Sequence, residues 1–192
     1  MPKVDTEEFE VVQGRECGAC SLCCKLVAVA ELDKIEGVWC SHCAPGKGGC
    51  LIYDSRPSSC RGFHCGWLQT DDFGPEWKPT TSKMVIAAEG DGNRITIYVE
   101  PSFPTNWRKE PYYSQLRALA IDMAQRQKQL LIRINDRAIV VLPGKEIDLG
   151  RCEKDDQIMV SRNNRTGEWG AHLVRAKDVP PEQRGKWISK GW

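Results

Sequence analysis

Residues 17–24 read CGACSLCC, and how those eight positions are read decides what the first part of the chain can be. Four of the eight are cysteine, and the last two are adjacent. One CxxC is a common turn. Two overlapping CxxC units ending in a doubled cysteine point instead to chemistry that uses thiols. Thiolates are soft, anionic donors that suit zinc and iron. Cys17, Cys20 and Cys23 keep the three-residue spacing of the CxxCxxC runs that hold 4Fe-4S clusters. Adjacent side chains point in different directions, so Cys24 is expected to serve a neighbouring site. The doubled cysteine therefore suggests two close metal centres or one polynuclear cluster.

The partners lie downstream. WCSHC carries Cys40 and Cys43, GGC carries Cys50, and SSCRGFHC carries Cys60 and Cys65. Nine of the ten cysteines fall within the 49 residues from Cys17 to Cys65, a local density of about 18 %, well above the ~8–10 % that marks a disulfide or metal scaffold. Nine thiols exceed the eight needed for two four-cysteine sites. The ninth bridges, is spare, or completes a three-metal, nine-thiolate cluster. Eight thiolates and two divalent metals add net negative charge, which Arg56, Arg61 and Lys47 within the block are placed to offset. N–H groups bonded to sulfur would also tune a redox potential if iron is present.

Composition narrows the compartment and the partners. The 192 residues carry 27 Lys and Arg against 26 Asp and Glu. That balance argues against a nucleic-acid coat or a membrane-surface protein. Residues 1–80 hold 8 basic and 12 acidic side chains, and residues 81–192 hold 19 and 14. No segment approaches the ~18–20 apolar residues that cross a bilayer. The N-terminal MPKVDTEEFE is acidic and has no apolar stretch, so a signal peptide is not expected there. The expected location is the cytoplasm, where disulfides are rare and clustered cysteines read as metal ligands.

The chain is expected to have two parts: a cysteine-rich metal-binding module over 1–80 and a small α+β domain over 81–192. In the module, KLVAVAELDKIEG from Lys25 predicts a helix ended by Gly37. So short a segment with so many turns rarely builds a sufficient core, and a metal staple is expected. Residues 70–82 (TDDFGPEWKPTTS) read as a polar connection. In the second part, MVIAA (84–88) and RITIYV (94–99) flank EGDGN, a hairpin signal. LLIRI (130–134) and RAIVVL (137–142) flank Asn135-Asp136, and QIMVSR (157–162) and WGAHLV (169–174) flank NNRTGE. A helix is predicted from about Pro111 at its first position, with Tyr113, Leu116, Ala120 and Met123 on one stripe and an Asp122–Arg126 pair. The fold class is α+β: a metal-stapled module with a mostly antiparallel sheet plus one main helix. The tail from about Asp178 is expected to be loosely ordered.

CGACSLCC followed by GGCLIYDSRPSSCRGFHC resembles the YkgJ-like cysteine-cluster proteins, a family described as zinc- or iron-chelating through a CxxCxxCC domain. The resemblance runs from Cys17 to about Trp67, a quarter of the chain. It implies ligation by Cys17, Cys20, Cys23, Cys24, Cys50, Cys60 and Cys65, with Cys40 or Cys43 as an eighth. It leaves both zinc and an iron–sulfur cluster open and does not extend to residues 81–192.

Other residues read as ordinary structure. Cys152 is expected in a core and His172 in a strand, while His42 and His64 are expected beside the ligands rather than among them. Asp71 and Asp72, and Arg108, Arg117, Arg126, Arg133 and Arg137, read as solvated surface. The seven tryptophans read as aromatic mass covering the module or filling a core. GxSxG, HExxH, GxGxxG and the phosphate-loop pattern are absent, so no catalytic residue is assigned. The expected function is a metal-binding protein with a structural, sensory or protein-partner-binding role. The alternative is an accessory or catalytic subunit of a redox or modification enzyme that uses a cluster. Nucleic acid is not expected as a partner.

Overall fold

With few apolar side chains to bury, the cysteine-rich part of the chain folds as short pieces held by turns. The structure, a computed structural model, describes residues 11–180 except 48, 91 and 154. The acidic start and the part of the tail from 181 onward, on which two expectations fall, lie outside the described residues. The chain divides into two compact units, Met1–Val85 and Ile86–Trp192.

In the first unit the pieces are α1 (Cys23–Leu26), the two-residue strands β1 (Cys43–Ala44) and β2 (Gly49–Cys50), α2 (Ser58–Gly62), α3 (Gly66–Gln69) and α4 (Pro79–Ser82). β1 and β2 pair antiparallel, with Cys43 opposite Cys50. Leu26, Trp67, Leu68, Trp77, Met84 and Val85 are buried here.

The helix predicted from Lys25 to Gly37 does not form. α1 stops at Leu26, and the β-branched Val27 and Val29 are extended. Asp33 then takes a left-handed φ of 47°, and Val29 bridges antiparallel to Lys34. The Lys34 ammonium donates to the Lys25 carbonyl at 2.7 Å and to that of Val27, carbonyls that a longer helix would have used itself.

Residues 70–82, expected as a polar connection, carry short helical turns and a buried tryptophan. Pro75 and Pro79 each open a short helical turn. Trp77 is fully buried, edge-on to Phe73 at 5.3 Å. The polar run carries its own satisfaction: the buried Ser82 hydroxyl accepts from the Met84 amide at 3.1 Å and lies 3.2 Å from the Met84 carbonyl.

The second unit is built on a five-stranded sheet. Its strands are β3 (Met84–Glu89), in which the division between units falls, β4 (Arg94–Val99), β5 (Gln129–Ile134), β6 (Arg137–Leu142) and β7 (Lys145–Arg151), in spatial order β3-β4-β5-β6-β7. β5–β6 and β6–β7 are antiparallel, with Ile132 opposite Ile139 and Val140 opposite Ile147. β4–β5 is parallel, with Ile97 opposite Ile132, because α5 (Tyr112–Gln125) lies between them in the chain and returns it to the starting end of the sheet. A second sheet pairs β8 (Gln157–Arg162) with β9 (Trp169–Val174).

β5 and β6 read as continuous apolar runs because both of their faces are covered. On one face Leu131, Ala138, Val140 and Leu142 join Cys152 and Ile158 in a core that Trp169 and Leu173 of β9 close. On the other face α5 packs against β5 and β6. Its buried side chains are Tyr112, Leu116, Ala120 and Met123, so the stripe begins one residue before the predicted Tyr113. Tyr113 instead lies half-buried against Trp107, ring centroids 6.3 Å apart. The Asp122–Arg126 pair is present at 3.0 Å. The architecture is α+β, mainly antiparallel with one main helix.

Candidate metal centre

Each clustered cysteine is set by a local backbone bond. The Cys20 amide donates to the Cys17 carbonyl at 2.8 Å, closing the first CxxC turn, and Gly18 supplies that turn's left-handed φ of 48°. Cys23 and Cys24 open α1, where consecutive side chains diverge by about 100°. The Cys40 amide donates to the Cys24 carbonyl at 2.9 Å, which draws the second block onto the first. The Cys43 amide donates to the Cys40 carbonyl at 3.0 Å, and the β1–β2 ladder sets Cys50 across from Cys43.

Cys60 rides on α2. Glu31 holds that helix by accepting from the Ser58 hydroxyl at 2.7 Å, the Ser59 amide at 3.3 Å and the Ser59 hydroxyl. Those hydroxyls keep the Glu31 carboxyl below its ordinary value. Cys65 caps α3. Arg15 ties the first CxxC turn to that helix, donating to the carbonyls of Trp67 and, at 2.9 Å, Thr70, and pairing with Asp71 at 3.2 Å.

These ties bring eight of the nine thiols to one cavity of about 290 Å³, bordered by Cys17, Cys20, Cys23, Cys24, Cys40, Cys50, Cys60 and Cys65. Leu32, Ile52, Phe63 and Trp67 supply apolar wall and, among the described residues, Arg56 the one cation. Cys43 stands outside the ring, with its thiol hydrogen-bonded to that of Cys24. None of the ten cysteines is in a disulfide. Cys152 is buried in the second unit's core, away from the ring. Neither His42 nor His64 borders the cavity.

Among the described residues, no three His, Cys, Asp or Glu side chains converge on a point where one ion would sit. The thiols surround a volume instead. In donor chemistry the ring fits a soft metal group.

Burial pushes the Cys17, Cys60 and Cys65 thiols up, and neighbouring cysteine charges push them further: Cys20 and Cys24 on Cys17; Cys24, Cys40 and Cys50 on Cys60; Cys17 and Cys20 on Cys65. A hydrogen bond with Cys23, then burial, carries Cys24 well above the usual thiol range. Burial and Cys24 push Cys43 up to about 11. These thiols are therefore protonated at neutral pH, and a metal binding here must displace protons. Local opposing groups act on three of them: the backbone amides of Leu68 and Trp67 lower Cys65, Arg56 lowers Cys17, and Lys34 lowers Cys24.

Of the three cations expected near the thiols, Arg56 is at the cavity, stacked 3.7 Å over Tyr53, and Arg61 donates to the Arg56 carbonyl at 2.8 Å. Lys47 is exposed. Sequence reasoning missed Lys34, which is buried beside Cys23, Cys24 and Cys40. Burial lowers the Lys34 ammonium and those cysteines raise it. Glu31 and Arg15 were missed too. None of the three lies in a recognisable motif; a lysine after a left-handed Asp33 carries no signal until the chain has turned.

Comparison of the chain with family models, with curated proteins and with solved structures finds no match.

Proposed function

We propose that the first unit is a metal-binding module whose clustered thiolates hold an iron–sulfur cluster or zinc. One observation carries this reading: eight free thiols, drawn from two sequence blocks, border a single cavity. The resemblance to the YkgJ-like family through CGACSLCC and the downstream cysteines supports it. The CxxCxxC spacing favours iron–sulfur. When bound, the group supplies either rigid cross-linking or one-electron chemistry. The chain's own residues hold it, exclude water with Leu32, Ile52 and Phe63, and offset its charge with Arg56 and Lys34.

A structural or sensory role expressed through a protein partner is the reading for the module as a whole. Ile35, Val38, Trp39, Leu51 and Tyr53 are 39–67 % exposed around it, apolar surface that a partner would cover. The cytoplasm, which keeps thiols reduced, is the compartment in which such a site persists. No helix among the described residues is long and apolar enough to cross a membrane.

Anaerobic purification, elemental analysis and a visible spectrum test the reading. A brown protein with iron and acid-labile sulfide identifies a cluster, and a colourless one with about two zinc ions per chain identifies zinc. A folded protein that binds neither under reducing conditions overturns the proposal.

A further inference from the structure

The cavity wall holds one donor with nothing to donate to. Trp67 is 8 % exposed and borders the cavity, and its indole Nε1 is buried with no partner among the described residues. A buried N–H without an acceptor loses its hydration and gains nothing in return. Such groups are rare and call for an explanation. None of the eight thiols accepts from this one. Phenylalanine would fill an apolar wall without that penalty.

The surroundings bias the ring toward an anion. Arg15 lies 5.2 Å and Lys78 5.4 Å from the Trp67 ring centroid. Two positive charges beside one indole favour an anion nearby. Arg15 is also fixed to the Trp67 carbonyl, and Cys65 caps the helix on which Trp67 sits. Trp67 and Cys65, two residues apart, both border the cavity. A metal group held by several thiolates is anionic, and its sulfurs accept hydrogen bonds from N–H groups.

We propose that the Trp67 indole N–H is the hydrogen-bond donor to a sulfur of the bound metal group, a thiolate in the zinc form or a sulfide or thiolate in the iron–sulfur form. This rests on the metal-binding reading and adds to it a specific residue outside the cysteine set. Trp67 stabilises the loaded state by relieving its own unmet N–H and by dispersing charge on the accepting sulfur.

Trp67→Phe keeps the aromatic wall and removes the N–H. In competition with a chelator, its metal affinity is expected to fall about 10- to 100-fold relative to wild type. In the wild type, the Trp67 indole 1H–15N resonance of the zinc form should move downfield on loading and exchange more slowly. In an iron–sulfur form, Trp67→Phe should lower the reduction midpoint. The indole resonance needs no variant, so it stands even if Trp67→Phe folds poorly. Wild-type protein that loads metal with an unmoved indole resonance, or Trp67→Phe with wild-type affinity and midpoint, overturns the inference and leaves the metal reading intact. Wild-type protein that loads no metal overturns both.

Discussion

Asp156 shows how much a single side chain can organise. Its carboxylate is 3 % exposed and accepts from the Glu153 amide at 2.9 Å, the Ala176 amide at 2.8 Å and Arg175 at 2.9 Å, tying the start of β8 to the end of β9. Burial pushes its carboxyl up, but the two amides and Arg175 outweigh that and hold it below the usual carboxylate range. A carboxylate depressed in the folded state contributes stability that is complete above its unfolded value, about 3.9, and is lost as pH falls through the lower folded value. Asp156→Asn is expected to cost about 1–3 kcal/mol at pH 7. Its denaturation midpoint should also fall less steeply than that of wild type below about pH 4. Parallel pH profiles would remove Asp156 as a source of acid sensitivity. At this scale the cysteine ring was legible, because thiols at fixed spacing have few other uses. Asp156, Lys34 and the Trp67 N–H were not. Their roles depend on what the folded chain places opposite them, and no local spacing encodes that. Arg133, expected on the surface, is half-buried, with its guanidinium near the Cys152 carbonyl.

Among the elements, α5 carries the clearest division between a packed and a free face. Leu116 is 1 % exposed and Ile121 is 49 % exposed. Leu116→Ala is expected to destabilise the second unit by about 2–5 kcal/mol, and Ile121→Ala by no more than about 0.5 kcal/mol. Urea unfolding of the two variants reads the contrast, and equal midpoints would contradict the packing of this helix. Long apolar runs made β5 and β6 readable, and the 3.6-residue stripe made α5 readable to within one position. β7 went unread because Ile147 and Leu149 alternate with charge in a short run. Its signal was Pro143-Gly144, where proline fixes one turn angle and Gly144 takes the left-handed φ of 84°. The helix expected from Lys25 failed for the opposite reason. Its apolar residues could follow a helical period, but Val27 and Val29 prefer the extended backbone that Lys34 then locks.

For the whole molecule, the two units differ in what holds them. The second has a sheet covered on both faces. The first has few buried apolar side chains and a ring of thiols that repel one another once ionised. A structural zinc site supplies roughly 10–16 kcal/mol of apparent binding energy, as much as the net stability of a typical domain, ~5–15 kcal/mol. On the metal-binding reading, stripping the metal with a strong chelator, or replacing Cys20 by Ser, should therefore deprotect the amides of residues 17–65 to hydrogen exchange while β5 and β6 stay protected. Unchanged exchange after verified metal removal would show that the first unit stands without its staple.

Every residue that borders the cavity lies between Glu16 and Val85. During synthesis the chain emerges in order, at ~5–20 residues per second. The ring of thiols is thus complete while residues 86–192 still need roughly 5–20 s to be made. On the metal-binding reading, the thiols are therefore exposed to metal during synthesis, before the second unit is complete.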